Sequence, residues 1–382
     1  MGGPRAPHTP WIQSCDLARR WAGAMGYAPR MPALRTAIRR LVLTVASLSF
    51  TGASCGPSVL GLMPGVLNDP QNLSLRRSLL ASGLAHVCEE VSSRSMPLRF
   101  RDEDPVAGRF FPTTCAAREL PSGDLYLQLA GQGYVWTDRS LRLGFGAGAA
   151  IAYDTDFLLD GATMYVYFRP RASDPPRFST RFVEDAQVTM LSGMIGKQGG
   201  QTLPDRIGTQ IMAATLARGF TVIRDPSGGI EYGVGVVAPG ARPPEAYRGL
   251  DRDRPVLANE RVDVHQNQRD FAGPFEVPAG KELGLLISVA GAPAVDVLLV
   301  PRAVGDAWLA TYTNQPTTTQ PPGQPLLDDV VVAGSAYHRS LAVPPGSYYL
   351  VLDNTPTAGR TSLPPYPRND HAAVVSYAVD LE

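Results

Sequence analysis

The spacing of apolar residues predicts two helices and one hairpin in the first half of the chain. The first helix is indicated by apolar residues at helical spacing, namely Leu80, Leu84, Val87, Cys88 and Val91. Asn72 or Ser74 can cap its start. A second helix has Pro204 in its first turn and Gly219 where a left-handed cap would end it. The run FTVIRDPSGGIEYGVGVV then predicts a hairpin around DPSGG.

Strand patterns fill the region between the two predicted helices. The runs SGDLYLQLAG, SLRLGFGAGAAIAYDTDFLL and ATMYVYFRP alternate with period two. In the last run both faces are apolar or aromatic, one carrying Met164, Val166 and Phe168 and the other Tyr165 and Tyr167. Such a strand lies between two layers or lines a cavity.

Element order divides the chain into two folded parts. Residues 73–240 read as an α+β domain of helix, antiparallel strands, helix and hairpin. Residues 241–256 are rich in proline, glycine and charge, which is typical of a linker. Residues 257–382 hold about eight short strand-like runs with no helical pattern, so they predict an all-β sandwich or jelly roll. A Thr- and Pro-rich insert at 313–325 is expected to be an exposed loop.

The N-terminal region has the pattern of an export signal. Leu41–Phe50 is an apolar run of ten residues, about half of the ~20 that a membrane-spanning helix needs. Basic residues precede this run, and small residues follow it before Cys55. The alternatives are an ordinary signal peptide cut nearby and a short buried helix.

The stretch that ends in Cys55 resembles the lipobox of bacterial lipoproteins. The resemblance implies that Cys55 is acylated and becomes the first residue of the mature chain. Residues 1–54 are then an N-terminal extension and signal peptide, and residues 55–72 a tether. Met31 is the expected translation start, because a normal n-region follows it. Gly56 after the cysteine favours the outer membrane.

The runs FEVPAGKELGLLISV, AVDVLLVP and PPGSYYLVLDN resemble the pre-peptidase C-terminal and GOLD types of extracellular β-sandwich. That resemblance implies an adhesive or accessory module. Asp296 stands alone where the first of these families has paired aspartates, so no calcium role is carried over.

Charge and cysteine usage narrow the function classes. Residues 1–54 hold seven of the chain's 35 basic residues and one of its 35 acidic residues. The remainder has 28 basic and 34 acidic residues, so no basic surface for nucleic acid is implied, and we expect no nucleic-acid partner. Cys88 and Cys115 predict a disulfide in an exported protein, and two buried free thiols are the alternative.

Motifs for catalysis, cofactors or metals are weak. GFGAGA lies inside an alternating strand, where glycines indicate close packing or a bend rather than a phosphate loop. Asp154 and Asp156 are carboxylates of the kind that acid–base catalysis uses, with a turn role as the alternative. Glu245, Asp251 and Asp253 could bind calcium, with a solvated linker as the alternative. We expect no cofactor and no metal.

Two functional hypotheses follow, and an enzyme ranks third. The first is a membrane-anchored envelope lipoprotein with a structural or binding role, whose C-terminal sandwich docks on an envelope protein. The alternative is a lipoprotein that binds lipid through residues 73–240, whose element order resembles tubular lipid-binding proteins. Its candidate ligand contacts are Tyr165, Tyr167, Ile207, Ile211, Met212 and Leu216.

Overall fold

The computed structural model describes residues 64–84, 86–99, 101, 103–136, 142–184, 203–251, 253–361 and 372–382. About half of the described residues lie in strands, the sheets that they form are antiparallel, and helices are few in these ranges. The architecture is therefore mostly β. The predictions about Cys55, the signal peptide and the start at Met31 lie outside the described residues.

The helices of these ranges are α1 (Pro64–Leu67), α2 (Leu73–Leu84), α3 (Val87–Ser92), α4 (Leu203–Ala217) and α5 (Arg302–Asn314). The strands are β1 (Met96–Leu98), β2 (Gly108–Glu119), β3 (Leu125–Trp136), β4 (Arg142–Asp160), β5 (Thr163–Ser173), β6 (Arg177–Val183), β7 (Phe220–Arg224), β8 (Ile230–Val234), β9 (Val256–Val264), β10 (Gln268–Val277), β11 (Leu283–Ala290), β12 (Ala294–Pro301), β13 (Leu327–Val332), β14 (Tyr337–Leu341), β15 (Gly346–Asn354) and β16 (Ala373–Leu381). Among the described helices, none combines the length and apolar character that crossing a bilayer requires.

Strands β1 to β8 form one eight-stranded antiparallel sheet, called the large sheet below. Its order is β1-β2-β3-β4-β5-β7-β8, with β6 also paired to β4. Strand β4 is 19 residues long. It pairs with β3 along one edge, and with β6 and then β5 along the other.

Three local predictions about the first half are confirmed. The DPSGG hairpin is formed by β7 and β8, which pair from Phe220 with Val234 to Arg224 with Ile230. Helix α4 ends at Ala217, and Gly219 has the left-handed φ of 68° that suits a glycine cap. The GFGAGA segment lies inside β4.

The segment before α2 differs from the predicted tether. Residues 64–72 form α1 and a 3₁₀ turn, Pro70–Asn72, and Leu67 is buried against the large sheet. The Asn68 amide donates to the Leu159 carbonyl at 2.8 Å, and the Leu159 amide donates back to Asn68 at 2.8 Å. These two bonds satisfy the backbone groups of Leu159 on the edge of β4, at a point that lies beyond its pairing with β3. Scattered apolar residues without a period gave no signal of this packing.

Both faces of β5 are covered, as the sequence predicts. Val166 and Phe168 belong to a core between the large sheet and helices α1 to α3. Tyr165 and Tyr167 point the other way and pack with Ile223, and all three are almost fully buried. Strand β5 therefore lies between two layers.

Strands β9 to β16 form two four-stranded antiparallel sheets, called the paired sheets below. Their orders are β10-β15-β12-β13 and β14-β11-β16-β9. Apolar side chains of both sheets, such as Ile287 of β11 and Leu299 of β12, are fully buried in one cluster. The two sheets therefore pack on each other across a shared core.

The prediction that no helix interrupts the C-terminal strands is wrong. Helix α5 follows β12, with Trp308, Leu309 and Tyr312 buried in the same cluster. These residues, together with Val304, recur at helical spacing. The β-rich flanks on both sides masked that pattern in the sequence.

Helix α5 also joins the paired sheets to the large sheet. Tyr134 of β3 meets the Tyr312 ring edge-on at 5.0 Å between centroids, and Phe271 of β10 at 6.3 Å. Trp136 is buried beside them. The back of the large sheet therefore shares a core with the paired sheets.

Candidate ligand-binding cavity

A cavity of about 850 Å³ lies on the face of the large sheet opposite Tyr134. Its walls come from the large sheet, α3, α4, the β7–β8 hairpin, and the ends of β9 and β10 nearest that sheet. The apolar and aromatic lining comprises Met96, Leu98, Phe110, Leu127, Leu129, Phe145, Ala149, Tyr153, Phe178, Met212, Leu216, Phe220, Ile230 and Tyr232. A volume of this size lies within the range of about 300 to 1,000 Å³ that small-molecule sites occupy.

One end of the cavity floor is aromatic because β3 carries glycine there. Gly133 pairs with Phe110 on one side and with Phe145 on the other, and these two rings stack at 6.4 Å. A Cβ on Gly133 would lie 2.6 Å from the Phe145 ring. Phe178 of β6 continues the floor, with its ring 4.7 Å from that of Phe145. The rings of Phe110 and Phe145 therefore occupy the space above Gly133 that a larger side chain at this position would fill.

A second aromatic group stands at the other end of the floor. The rings of Phe168 and Phe220 stack at 4.1 Å, and Tyr153 meets Phe220 edge-on at 5.3 Å. Burial raises the pKa of the Tyr153 hydroxyl, so it stays protonated in neutral solution. Aromatic side chains therefore lie at both ends of the cavity floor.

Helix α4 forms the roof and is fixed over the floor at two points. The Asp205 carboxylate accepts a hydrogen bond of 2.6 Å from the Thr180 amide of β6. Gly208 lies against the Phe178 ring so closely that a Cβ there would be 2.3 Å from it. Met212 and Leu216, one and two turns further on, line the cavity.

The predicted disulfide is confirmed and fixes another wall. Cys88 of α3 and Cys115 of β2 are bonded, with their Cα atoms 5.3 Å apart. Glu90 and Val91, which follow Cys88 on the same short helix, line the cavity. The bond therefore ties this wall to the large sheet.

Three carboxylates of the lining are paired with arginines. Glu90 pairs with Arg224, and Glu231 with Arg242 at 3.1 Å. Glu260 of β9 pairs with Arg109 at 2.8 Å. Since each negative charge has a cation beside it, these carboxylates leave little net negative charge at the cavity wall.

Arg109 is buried at the junction of the large sheet and the paired sheets. Its guanidinium donates to both oxygens of Asp270 at 2.7 Å and to the Tyr377 hydroxyl at 2.8 Å. Burial lowers the pKa of Arg109, but Asp270 and Glu260 outweigh it and hold the pKa well above its usual value. Burial raises the pKa of Glu260, whereas Arg109 leads the contacts that bring it below its usual value. Both groups therefore stay charged.

The six residues that the sequence suggested as ligand contacts do not share one location in the structure. Met212 and Leu216 line the cavity, whereas Tyr165 and Tyr167 pack with Ile223 on the opposite face of the large sheet. The Tyr165 hydroxyl accepts a hydrogen bond of 3.0 Å from the Gly240 amide on that face. Ile207 and Ile211 lie in α4, with side chains outside the described part. The pattern on β5 showed two covered faces but not which of them meets the cavity.

The aromatic floor was not among the sequence candidates. Phe110, Phe145 and Phe178 are more than thirty residues apart in sequence and meet only through strand pairing. The signal present in the sequence was the alternate glycines of LAGQGYVW, Gly131 and Gly133, whose Cβ positions meet Phe110 and Phe145. Glycine at every second position leaves one face of a strand open to rings from its neighbours.

Asp296 is a buried structural group. Its carboxylate accepts hydrogen bonds from the backbone amides of Arg360, at 2.7 Å, and Thr361, at 3.1 Å. Asp353 lies opposite it on β15. The Nε of Arg269 is 2.9 Å from an Asp353 oxygen, without the alignment of a hydrogen bond. Asp296 therefore holds the backbone of residues 360 and 361, beside a second buried carboxylate on the neighbouring strand.

Asp154, Asp251 and Asp253 have surface roles. Asp154 pairs with Arg171 at 3.0 Å, and both side chains are largely exposed. Asp251 accepts from the Asp253 amide at 3.0 Å in an exposed turn. Across the described ranges, no three His, Cys, Asp or Glu side chains converge to hold a metal ion.

Comparison of the chain with protein-family models and with curated proteins finds no match.

Proposed function

We propose that this protein binds a hydrophobic ligand with an acyl chain in the cavity beneath α4. The observation that carries the proposal is a cavity of about 850 Å³ with a mostly apolar and aromatic lining. Water in such a space finds few hydrogen-bond partners, so an apolar ligand displaces it at little cost.

The expected affinity follows from the length of chain that is buried. Each methylene removed from water contributes about 0.8 kcal/mol. About ten methylenes would contribute about 8 kcal/mol, which corresponds to micromolar binding before ordering costs. Aromatic side chains at both ends of the cavity provide further contact area for the ligand, and they lose little conformational entropy when the ligand binds.

Ligand binding takes precedence over the docking role that the sequence placed first. The proposal assigns binding to the α+β unit of residues 73–240. It treats residues 257–382 as a β-sandwich module that closes one side of the cavity through β9 and β10. Docking of that module on an envelope protein remains a prediction from its resemblance to accessory modules.

The proposal also places the protein on a bacterial cell envelope, anchored through an acylated Cys55, with the outer membrane favoured. The Cys88–Cys115 disulfide supports export, because disulfides persist in oxidising compartments. Two or more acyl chains on one cysteine would anchor the chain stably. A cavity protein held at a bilayer surface would have its ligand close by.

Native mass spectrometry after gentle purification tests the proposal directly. A co-purifying lipid, or saturable binding of a fluorescent fatty acid, is the expected result. Absence of both would reject ligand binding.

A matched pair of variants on β4 tests the location. Ala149 lines the cavity, and Ala150 is the next residue on the other face of the strand. Ala149→Phe should fill part of the cavity and weaken binding by about tenfold or more. Ala150→Phe should leave the affinity unchanged. Equal effects of the two variants would place the ligand elsewhere.

A further inference from the structure

Arg94 of the cavity wall forms no ion pair with a described carboxylate. Arg94, between α3 and β1, lines the cavity and donates to the Ile230 carbonyl at a long 3.3 Å. The carboxylate nearest in sequence, Glu90, is instead paired with Arg224. Among the described residues, no carboxylate lies within ion-pair distance of Arg94. Most of its guanidinium donors are thus available to a ligand.

A buried hydroxyl lies at the same place. Tyr232 of β8 lines the cavity, and the Arg94 guanidinium is 5.9 Å from the centre of its ring. The Tyr232 hydroxyl is buried, and no described residue offers it a hydrogen-bond partner. A buried polar group without a partner is costly, so its presence calls for an explanation.

Arg94 is the charge beside this hydroxyl that has no ion-pair partner among the described residues, since Glu90 and Arg224 pair with each other. Burial raises the pKa of Tyr232 above its usual value, so the hydroxyl remains a hydrogen-bond donor in neutral solution. A donor beside an excess cation is the arrangement that binds an anion.

We infer that the ligand carries an anionic headgroup, a carboxylate or a phosphate, bound by the Arg94 guanidinium and the Tyr232 hydroxyl. The inference rests on the proposed function and adds the polar end of the ligand to it. The acyl chain then runs from Tyr232 along the apolar floor towards Phe145. The headgroup satisfies the hydroxyl and places its charge beside the Arg94 guanidinium.

Arg99 provides a comparison within the cavity. It also lines the wall, but it contributes to lowering the pKa of Glu260, so its charge is partly balanced by that carboxylate. Arg99→Gln should therefore have a much smaller effect on an anionic ligand than Arg94→Gln.

The test uses the purified full chain and three ligands that differ only at the head: palmitate, methyl palmitate and hexadecyl phosphate. Each is titrated as a competitor of the uncharged dye Nile red. At least one anionic ligand should bind about tenfold more tightly than the ester, as a charge-assisted hydrogen-bond pair implies. A preference for palmitate points to free fatty acids, and a preference for the phosphate points to a lipid phosphate.

Two variants locate the headgroup. Tyr232→Phe and Arg94→Gln should each remove most of the preference for the anion and weaken methyl palmitate much less, because the ester accepts only a neutral-acceptor hydrogen bond. Retained ester binding shows that the cavity is intact. Arg118 lies over the Tyr126 ring at 4.8 Å, outside the cavity lining. The same substitutions there, Tyr126→Phe and Arg118→Gln, are the matched controls and should change nothing.

The outcomes separate the two proposals. If methyl palmitate binds as tightly as both anions, the headgroup site is refuted and ligand binding stands. If Arg99→Gln removes the preference and Arg94→Gln does not, the headgroup lies at the other end of β1 and the inference is wrong. If none of the three ligands displaces the dye, the proposed function fails, and the inference fails with it.

Discussion

Arg109 and Asp270 form a two-bond ion pair across the junction of the large sheet and the paired sheets, with both N to O distances at 2.7 Å. The two residues are 161 positions apart in sequence. The Tyr134 hydroxyl donates to the same carboxylate at 2.7 Å. Because both charges are fully buried, each depends on the other for its solvation.

Asp270→Asn should destabilise the protein by about 3 to 5 kcal/mol, because it leaves the Arg109 charge buried with one fewer carboxylate. Denaturant unfolding measures the change. The exposed pair of Arg171 and Asp154 is the control, and Asp154→Asn there should cost less than about 1 kcal/mol. Similar losses for the two variants would mean that the buried pair contributes no more than a surface pair.

Gly133→Ala should destabilise the protein by about 1 to 3 kcal/mol through crowding. The added methyl group would lie 2.3 Å from the Arg109 carbonyl oxygen and 2.6 Å from the Phe145 ring. Gly65 has open space around its Cβ position, so Gly65→Ala should be neutral or slightly stabilising. Thermal unfolding of the two variants compares them directly, and a stable Gly133→Ala protein would show that the aromatic floor can shift.

Removal of both cysteines, as Cys88→Ala with Cys115→Ala, should lower the free energy of unfolding. The bond closes a loop with a sequence separation of 27, which the loop-entropy model values at about 3.5 kcal/mol. Wild-type protein in reductant should unfold at the same denaturant concentration as the double variant. A reductant effect that persists in the variant would point to another cause.

Stability should depend on the ionisation of Asp353. Burial raises the pKa of this carboxyl in the folded protein from 3.8 to about 6, although Arg269 opposes the shift. The folded state therefore holds the proton more tightly than the unfolded state does. The resulting stabilisation is complete below about pH 4 and is lost as the pH rises through about 6.

The measurement compares wild type with Asp353→Asn, whose side chain cannot ionise. Denaturant unfolding between pH 4 and pH 7 should show wild type losing stability relative to the variant as the pH rises. Parallel curves over that range would show that Asp353 ionises in the folded protein as it does in the unfolded chain.

Lipidation should depend on one residue. In cells grown with radiolabelled palmitate, the full chain should become labelled and partition with membranes, and Cys55→Ser should abolish both. Labelling that survives the substitution would locate the anchor at another position.

Local features of the fold were predictable from sequence, and long-range features were not. The β7–β8 hairpin, the α4 end at Gly219 and the Cys88–Cys115 bond depend on turn chemistry, capping or cysteine count. Helix α5 carried its own signal, since Val304, Trp308 and Tyr312 recur at intervals of four. Strand-like runs before and after it made a β interpretation the simpler one.

The cavity could be anticipated only as a general feature of the first half. Alternation on β5 showed two apolar faces, and the pattern on α4 included Met212 and Leu216, which line the cavity. The floor depends on strand register, which brings Phe110 and Phe145 to either side of Gly133. The headgroup site depends on Arg94 meeting Tyr232, which are separated by more than a hundred residues. No local sequence pattern predicts such contacts between residues that are distant in sequence.

The ion pair of Arg109 has a consequence for synthesis. Ribosomes deliver the chain from its N-terminus, so β2 emerges about 160 residues before Asp270 does. Until then the arginine needs water, and the aromatic back of β3, with Tyr134 and Trp136, has nothing to cover it. We therefore expect chaperones to bind the first half of the chain during synthesis. A stalled or truncated chain should aggregate or be degraded instead of persisting as a smaller folded protein.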